Sequence, residues 1–543
     1  MAKSKIPPLS FKFSDLFTAD YRLITALLIA LPLLIYAQVW NFEFVWDDNA
    51  SSKAHLYHPF VLNQTFENFI RLFAQPYFDM YIPVTYLFWS GLKGLSELLS
   101  LPLNSVLHLT NVVVHIINGL LVFTILRQFV VDKKALLIGS LFFLLHPIQV
   151  EVVAFVSEFR SLLAFAFSLS ALYIYLKNQA KFGFLSLFLF ILAILSKPSA
   201  VTLVAFIFVI NYFHYGVKFS KNIKKILPFA VLALIFILIA RWEQFVSPDY
   251  MIVLWQRPFA WLDSIVFYLV KLIYPYHLGL SYTLSPQFIS TQWWFYPLAI
   301  VPFGLGYLLW IKRQIYPLLV LAAVLFLAGF FTTSGFVSFV FQKYSLVADR
   351  YLYFAMIGVA LFVAAILEKS DNKIKQGLIV AILLVFTSLS AFRQIPLWQT
   401  PLSIWSHTKQ YELIKRYAHE NLAAMLFYRG DELRKAGNNS QALDYFNRSI
   451  EQYPQYSKSN LSVVLGQRGV IFFQQKKYHK ALSDFTQAIE LTPRSTQLIS
   501  NKILTLLILK KCKKAYETFN LAGKNKIKLQ AGTLIDLQKN CAK

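Results

Sequence analysis

The sequence predicts an all-α membrane protein: a bundle of about 11 spanning helices followed by a soluble helical repeat domain. Composition is the first reason, because 57% hydrophobic and 15% charged residues are far outside the range of soluble chains. The second is a change of pattern. Apolar runs of membrane-spanning length recur up to about Phe392, and from Arg393 onward they give way to amphipathic helical periodicity.

Charge narrows the classes of partner. The chain has 52 Lys and Arg against 27 Asp and Glu, a net charge of +25 that suits contact with anionic lipid phosphates. Nucleic acid is not an expected partner. Cys512 and Cys541 are too few for a disulfide framework or a thiolate metal site. We therefore expect neither cysteine to support the fold in any large way, and we expect no redox chemistry.

The predicted membrane domain covers residues 1–392. Its first apolar run, 21–40, is long enough to cross a bilayer and has no small-residue cleavage site after it, so a retained helix is expected. Segments 83–99 and 258–275 are treated as interfacial or re-entrant. The predicted spans are 22–40, 106–128, 134–147, 159–177, 182–196, 199–216, 226–241, 295–311, 316–333, 348–367 and 375–392.

Basic residues orient these spans. With the N-terminus inside, every cluster of loop lysines and arginines falls on the cytoplasmic side, and the first extracytoplasmic loop is 41–105. The odd count places the repeat domain on the extracytoplasmic side of a bacterial inner membrane or of the endoplasmic reticulum membrane. Counting either segment, 83–99 or 258–275, as a full span would invert everything after it. The same orientation brings seven polar residues out on the outer side, where charges at membrane depth tend to mark function: Asp47, Asp48, His146, Glu151, Lys197, Asp349 and Arg350.

The soluble region carries an internal repeat. Four residues recur with the same internal spacing: Gly430, Ala442, Phe446 and Pro454, then Gly469, Ala481, Phe485 and Pro493. This spacing is typical of tetratricopeptide repeats, in which a small residue lets two helices pack closely and proline ends the second helix. The prediction is a linker at 393–415, repeats within 416–530 and a tail at 531–543. The individual units are 423–456, 462–495 and a degenerate 496–529.

Asp47 and Asp48 directly follow the first span and are the candidate general bases. Two adjacent carboxylates repel each other's charge, which raises one pKa and helps that group to accept a proton near neutral pH. Taken alone, such a pair more often marks a solvated loop or a helix start.

Several strings, taken in order, make the sequence similar to membrane glycosyltransferases that use a polyprenyl-phosphate sugar. In particular it resembles the transmembrane and tetratricopeptide-repeat-containing O-mannosyltransferase-like family, of the fold type called GT-C. The strings are Phe-Val-Trp-Asp-Asp at 44–48, Tyr-x-Pro-x-Thr at 81–85, His-Leu-Thr-Asn with a later His at 108–115, His-Pro-Ile-Gln-Val-Glu at 146–151, Ser-Lys-Pro-x-Ala-x-Thr at 196–202 and Asp-Arg-Tyr-Leu-Tyr at 349–353. Departures are Ile82 where the family has Arg, Gln149 where it has His, and Arg160 one place later than usual, which indicates a divergent member with another sugar or acceptor.

The resemblance implies an inverting transfer of a mannose-like hexose. An acceptor hydroxyl of an extracytoplasmic protein, deprotonated by Asp47 or Asp48, would attack the sugar while the lipid phosphate departs. The residues expected to contact the donor phosphate or sugar are Arg350, Lys197, Arg160, His146, Glu151, Tyr351 and Asp349. The lipid-linked sugar is a substrate, and no cofactor is expected. A divalent metal is conceivable but not favoured, since no known metal-ligand spacing is present.

Two other interpretations stay open. The chain could be a transferase that modifies an envelope glycan or lipid, with its repeats recruiting partners. It could also be a non-catalytic membrane scaffold, which the departures at Ile82 and Gln149 make conceivable. A scaffold should tolerate the loss of both aspartates, whereas an enzyme should not.

Overall fold

A computed structural model describes residues 11–48, 55–78, 80–178, 181, 183–243, 252–336, 339–411, 417–453, 457–529 and 531–541. Within these ranges the regular structure is helical, apart from an isolated β-bridge between Tyr77 and Met80. The chain forms two compact units, Met1–His407 and Thr408–Lys543. The predicted all-α class is thus confirmed for the described residues.

The first unit contains the apolar helices of membrane-spanning length. Among the residues that the structure describes, five helices are long and apolar enough to cross a membrane: Arg22–Asn41, Leu103–Leu126, Val156–Lys177, Phe219–Ile239 and Asn372–Trp398. A sixth candidate is a bent pair, Lys133–Leu145 and Pro147–Ala154, with an angle of 44° between its halves. Five shorter apolar helices are Phe184–Ser196, Pro198–His214, Pro297–Ile311, Pro317–Phe331 and Met356–Leu367.

Each predicted span overlaps one of these apolar helices, but many of the helices are short. The segment 348–367 shows why, because its first part forms a 3₁₀ turn, Asp349–Leu352, and the α-helix begins only at Met356. The total of eleven spans therefore stays a prediction. The segments 83–99 and 258–275 form helices Pro83–Leu98 and Arg257–Ile273, which are not among the apolar helices of the described chain.

Small residues let the central apolar helices approach closely. A Cβ atom on Gly139 would lie 2.5 Å from the Ala360 carbonyl oxygen, and one on Gly358 would lie 2.4 Å from the Phe326 nitrogen. Both distances are too short for any larger side chain. These glycines therefore join the helices Lys133–Leu145, Met356–Leu367 and Pro317–Phe331 in the way that small residues join membrane helices.

The second unit consists of helical hairpins. Its helices are Tyr417–Lys435, Asn439–Gln452, Lys458–Gln474, Tyr478–Leu491, Thr496–Ile508, Cys512–Lys524 and Ala531–Cys541. A Cβ atom on Gly430 would lie 2.7 Å from the Phe446 ring, and a Cβ atom on Gly469 would lie 2.7 Å from the Phe485 ring. Pro454, residues 1–10 and part of the predicted linker lie outside the described residues.

A disulfide joins Cys512 and Cys541, which have a Cα–Cα distance of 5.7 Å. The expectation that the cysteines matter little to the fold was therefore wrong. The bond links helices Cys512–Lys524 and Ala531–Cys541. Leu537, on the second of these helices, packs in the same apolar cluster as Ile503 and Leu506. The sequence did not predict this because two cysteines so far apart meet only if the last helix folds back.

Candidate functional site

The loop that carries Asp47 and Asp48 is held in place where it follows the first apolar helix. The side chain of Asn104 donates a hydrogen bond of 2.7 Å to the Phe42 carbonyl. Trp46 then adopts a left-handed backbone conformation, with φ of 46°, which costs a non-glycine residue roughly 1–2 kcal/mol. Such strain often occurs at functional sites. Here the strained residue directly precedes Asp47.

Asp48 is fully buried and holds the neighbouring backbone in place. One carboxylate oxygen accepts hydrogen bonds from the Ser157 amide at 2.7 Å and the Ser157 hydroxyl at 2.6 Å. The other accepts one from the Val45 amide at 3.1 Å. Burial raises the pKa of Asp48 to about 7, although these hydrogen bonds act to lower it. With both oxygens occupied, Asp48 is a structural residue.

Asp47 differs from its neighbour. Its side chain is half-buried, and its carboxylate makes no hydrogen bond to any residue in the described ranges. Burial raises the pKa of Asp47, while the positive charges of Arg160 and Arg350 act to lower it and Glu158 acts to raise it. An accessible carboxylate with unoccupied oxygens and a raised pKa is suited to accept a proton.

A buried cluster of charges lies within electrostatic range of Asp47, with Glu158 at its centre. Glu158 is fully buried and pairs with the Arg160 guanidinium at 3.1 Å and the Lys197 ammonium at 2.9 Å. The Arg350 Nε lies 3.9 Å from the same carboxylate, and the Ser161 hydroxyl donates a hydrogen bond to it. Three basic residues from separate parts of the chain therefore meet at one acid.

Arg160 and Lys197 sit differently in this cluster. Arg160 is buried and donates a 2.6 Å hydrogen bond to His55 Nε2, so the other nitrogen, Nδ1, carries the proton and faces the Tyr86 hydroxyl at 2.9 Å. Lys197 keeps 16% of its side chain exposed. It also donates a hydrogen bond to Ser161. Lys197 is therefore the cation of the cluster that a ligand reaches most directly.

Arg350 is held by Glu151. The Glu151 carboxylate accepts hydrogen bonds from the Arg350 guanidinium and, at 2.9 Å, from the Arg350 backbone amide. The guanidinium carbon lies 4.3 Å from the Phe341 ring centroid, 5.2 Å from that of Tyr351 and 5.3 Å from that of Trp46. Trp46 thereby connects this cation to the loop of Asp47.

The other predicted site residues, His146, Asp349 and Tyr351, make no ion pair with Glu158 and have partners of their own among the described residues. Both ring nitrogens of His146 face backbone partners, the Ile148 amide at 3.2 Å and the Leu272 carbonyl at 3.1 Å. Neither nitrogen is open to a ligand, so His146 caps the bent helix pair. Asp349 accepts a 2.6 Å hydrogen bond from the Tyr282 hydroxyl. The ring of Tyr351 packs against the guanidinium of Arg350. The centroid of this ring lies 5.7 Å from that of the Phe339 ring.

The charged side chains of the cluster favour the binding of an anion. Arg160, Lys197 and Arg350 carry three positive charges, whereas Glu151 and Glu158 carry two negative ones. These five side chains have a net charge of +1 before Asp47 is counted, and cations fixed in a largely desolvated place attract an anion strongly. No group of three His, Cys, Asp or Glu side chains in the described ranges is placed to hold a metal ion.

Sequence reasoning missed Glu158 and His55. Glu158 stands in the string Ser157-Glu158-Phe159-Arg160, where only the arginine drew attention. The sequence did contain a signal for Glu158, because it lies at the start of a 22-residue apolar helix. An unpaired acid there would be costly, so a basic partner could have been expected. His55 begins a short 3₁₀ helix, His55–Tyr57, and no local sequence pattern indicates its contact with Arg160.

Comparison with known proteins gives one relevant relative. No family model matches the chain, and no solved structure matches it. A Caenorhabditis elegans protein O-mannosyl-transferase is 23% identical over 439 residues, which is 74% of this chain and 59% of the relative. The chain is similar to a protein O-mannosyl-transferase. It spans less than two thirds of that relative's length.

Proposed function

We propose that this chain is a membrane glycosyltransferase. It transfers a mannose-like hexose from a polyprenyl-phosphate donor to a hydroxyl group of an extracytoplasmic protein. The observation that carries this proposal is the accessible carboxylate of Asp47 close to a charge cluster with one excess cation. Similarity to a protein O-mannosyl-transferase supports it independently, as do the apolar helices that a lipid-linked donor would require.

The proposed reaction is a single displacement. Asp47 takes the proton of the acceptor hydroxyl, and the hydroxyl oxygen forms a bond to the anomeric carbon as the bond from that carbon to the phosphate oxygen breaks. The leaving phosphate keeps the electron pair and gains negative charge. Lys197 and Arg350 are placed to stabilise that charge, because cations fixed in a low-dielectric site act without reorganisation. A divalent metal is optional in this scheme, since a lipid monophosphate carries less charge than a nucleotide diphosphate.

The second unit has a separate proposed role. Its hairpins are proposed to be tetratricopeptide repeats that hold an extended acceptor segment on the extracytoplasmic side. The close packing of Gly430 on Phe446 and of Gly469 on Phe485 supports the repeat assignment. The disulfide of Cys512 supports the sidedness, because disulfides form and persist in oxidising compartments.

Mass spectrometry of cells tests the proposal. Extracytoplasmic proteins, glycans and lipids are compared between cells with the natural chain and cells with Asp47→Asn, matched for the amount of folded chain. Loss of a hexose from a protein is the expected result, and the modified protein identifies the acceptor. Loss of a hexose from a glycan or lipid alone would instead identify an envelope transferase. No change, alongside a phenotype on deletion of the whole chain, would favour a scaffold.

A further inference from the structure

One end of the second unit carries a concentrated set of lysines. They lie in the turns that join Lys458–Gln474 to Tyr478–Leu491 and Thr496–Ile508 to Cys512–Lys524, and in the first residues after those turns. We name this set the lysine edge: Lys476, Lys477, Lys480, Lys510, Lys511, Lys513 and Lys514.

Both turns lie at the same end because the helices run antiparallel. The Ser462 hydroxyl, near the start of one helix, donates a hydrogen bond of 2.8 Å to the Ala488 carbonyl near the end of the next. In the following pair, the Thr496 hydroxyl lies 3.5 Å from the Lys528 carbonyl. These contacts place the chain ends of both hairpins together, so both lysine-bearing turns project from the opposite end.

The lysine edge carries almost uncompensated charge. Six of its side chains are exposed and Lys511 is half-buried. None of the seven ammonium groups forms an ion pair with a residue that the structure describes. The nearest acid along the chain after the first turn, Asp484, is already bound by Arg468 at 2.7 Å. The edge therefore presents a positive field to whatever approaches it.

Backbone geometry adds a second observation. Lys476 has φ of 60° and Lys510 has φ of 56°, a left-handed conformation that glycine adopts at lower cost. The corresponding turn of the preceding hairpin has Gly437 at this position, with φ of 83°. Lys526, at the opposite end of the unit, has a similar φ of 56°, so this conformation describes the turns and does not by itself distinguish the lysine edge.

We propose that the lysine edge binds the anionic headgroups of a phospholipid surface. Lysine is a compact, mobile point charge, which suits a diffuse layer of phosphates rather than one shaped ligand. The set contains no arginine that would form paired bonds to a single carboxylate or phosphate. The same chain contains helices long and apolar enough to cross a membrane, and a tether of this kind raises the effective concentration of the tethered surface. This inference does not depend on the transferase activity.

Site-resolved lysine labelling tests it on the full chain. The protein is reconstituted into vesicles of phosphatidylcholine alone or with about one third phosphatidylglycerol, and treated with an impermeant amine reagent. Labelling of Lys477, Lys480 and Lys514 is expected to fall about threefold or more in the anionic vesicles and to recover in about 1 M salt, which shortens the Debye length to about 3 Å. Lys458 and Lys528, two of the exposed lysines at the opposite end, serve as internal controls, and their labelling should not change.

A pair of charge-matched variants completes the test. In the variant Lys477→Gln/Lys480→Gln/Lys514→Gln, the protection of Lys510 and Lys513 should disappear. The control variant Lys458→Gln/Lys524→Gln/Lys528→Gln removes the same charge from the opposite end and should keep that protection. Equal labelling of both ends in both kinds of vesicle would overturn the proposal. So would protection that follows added polyglutamate but not the lipid, since the edge would then bind an acidic protein segment.

Discussion

Asparagine substitution should separate the two neighbouring aspartates. Asp47 makes no hydrogen bond to the described residues, so Asp47→Asn removes a proton acceptor and its negative charge but breaks no hydrogen bond among those residues. The expected loss of transfer rate is about 10²–10⁴-fold, the usual contribution of a positioned general base. The free energy of unfolding should fall less than in Asp48→Asn, because no buried hydrogen-bond donor loses its partner.

Asp48→Asn should do the reverse. The natural carboxylate accepts from three donors, two on Ser157 and one on Val45. Asparagine has one acceptor oxygen, so either Ser157 or the Val45 amide loses its partner and meets an N–H group instead. Leaving a buried donor unsatisfied costs about 1–3 kcal/mol. We expect a lower denaturation temperature, with a transfer rate per folded molecule that falls much less than in Asp47→Asn.

The assay needs both readings on the same preparations. Transfer from a labelled polyprenyl-phosphate hexose gives the rate, and intrinsic tryptophan fluorescence on heating gives the stability of the detergent-solubilised chain. If Asp47→Asn kept at least half of the natural rate while folding normally, Asp47 would not be the base. If Asp48→Asn proved as stable as the natural chain, its assignment as a structural residue would be wrong.

Three further predictions follow from the charges and the disulfide. Because burial raises the pKa of Asp47 and Arg160 acts to lower it, activity should be lost as pH falls, and Arg160→Gln should move that loss to higher pH in a pH–rate profile. Glu158→Ala leaves buried cations unpaired, at a cost of about 3–5 kcal/mol, so the yield of monodisperse protein should collapse and Glu158→Ala/Lys197→Met should recover part of it. Cys512→Ser removes a cross-link worth about 2–4 kcal/mol, so limited proteolysis should release the last helix from this variant. Reductant should allow the same release from the natural chain and should have no further effect on the variant.

The sequence predicted the positions of the apolar helices well because an apolar run is a local property. Each predicted span overlaps an apolar helix, whereas the positions of breaks such as that before Met356 depend on packing against neighbouring helices. The difference between Asp47 and Asp48 was beyond sequence reasoning for a related reason. It arises from Ser157, which binds Asp48 from more than a hundred residues away along the chain.

His146 and Glu158 show how local signals misdirect at a site built from distant parts. His146 is among the residues expected to contact the donor, yet both of its ring nitrogens bond to the backbone at the bend of the helix pair. Glu158 has no motif, and its importance comes from Lys197 and Arg350, which reach it from other segments. A titratable residue at an apolar helix end is thus only a candidate until its partners are known.

Charge balance links the base to the leaving group in the proposed reaction. Buried ion pairs seldom add net stability, so a cluster built for stability alone gains little over apolar packing. With Asp47 ionised, its charge balances the one excess cation among Arg160, Lys197 and Arg350. When Asp47 takes the acceptor proton, that balance is lost and a positive charge is left uncompensated. The departing phosphate gains its negative charge in the same step, so proton transfer at one side of the site strengthens the attraction for the leaving group at the other.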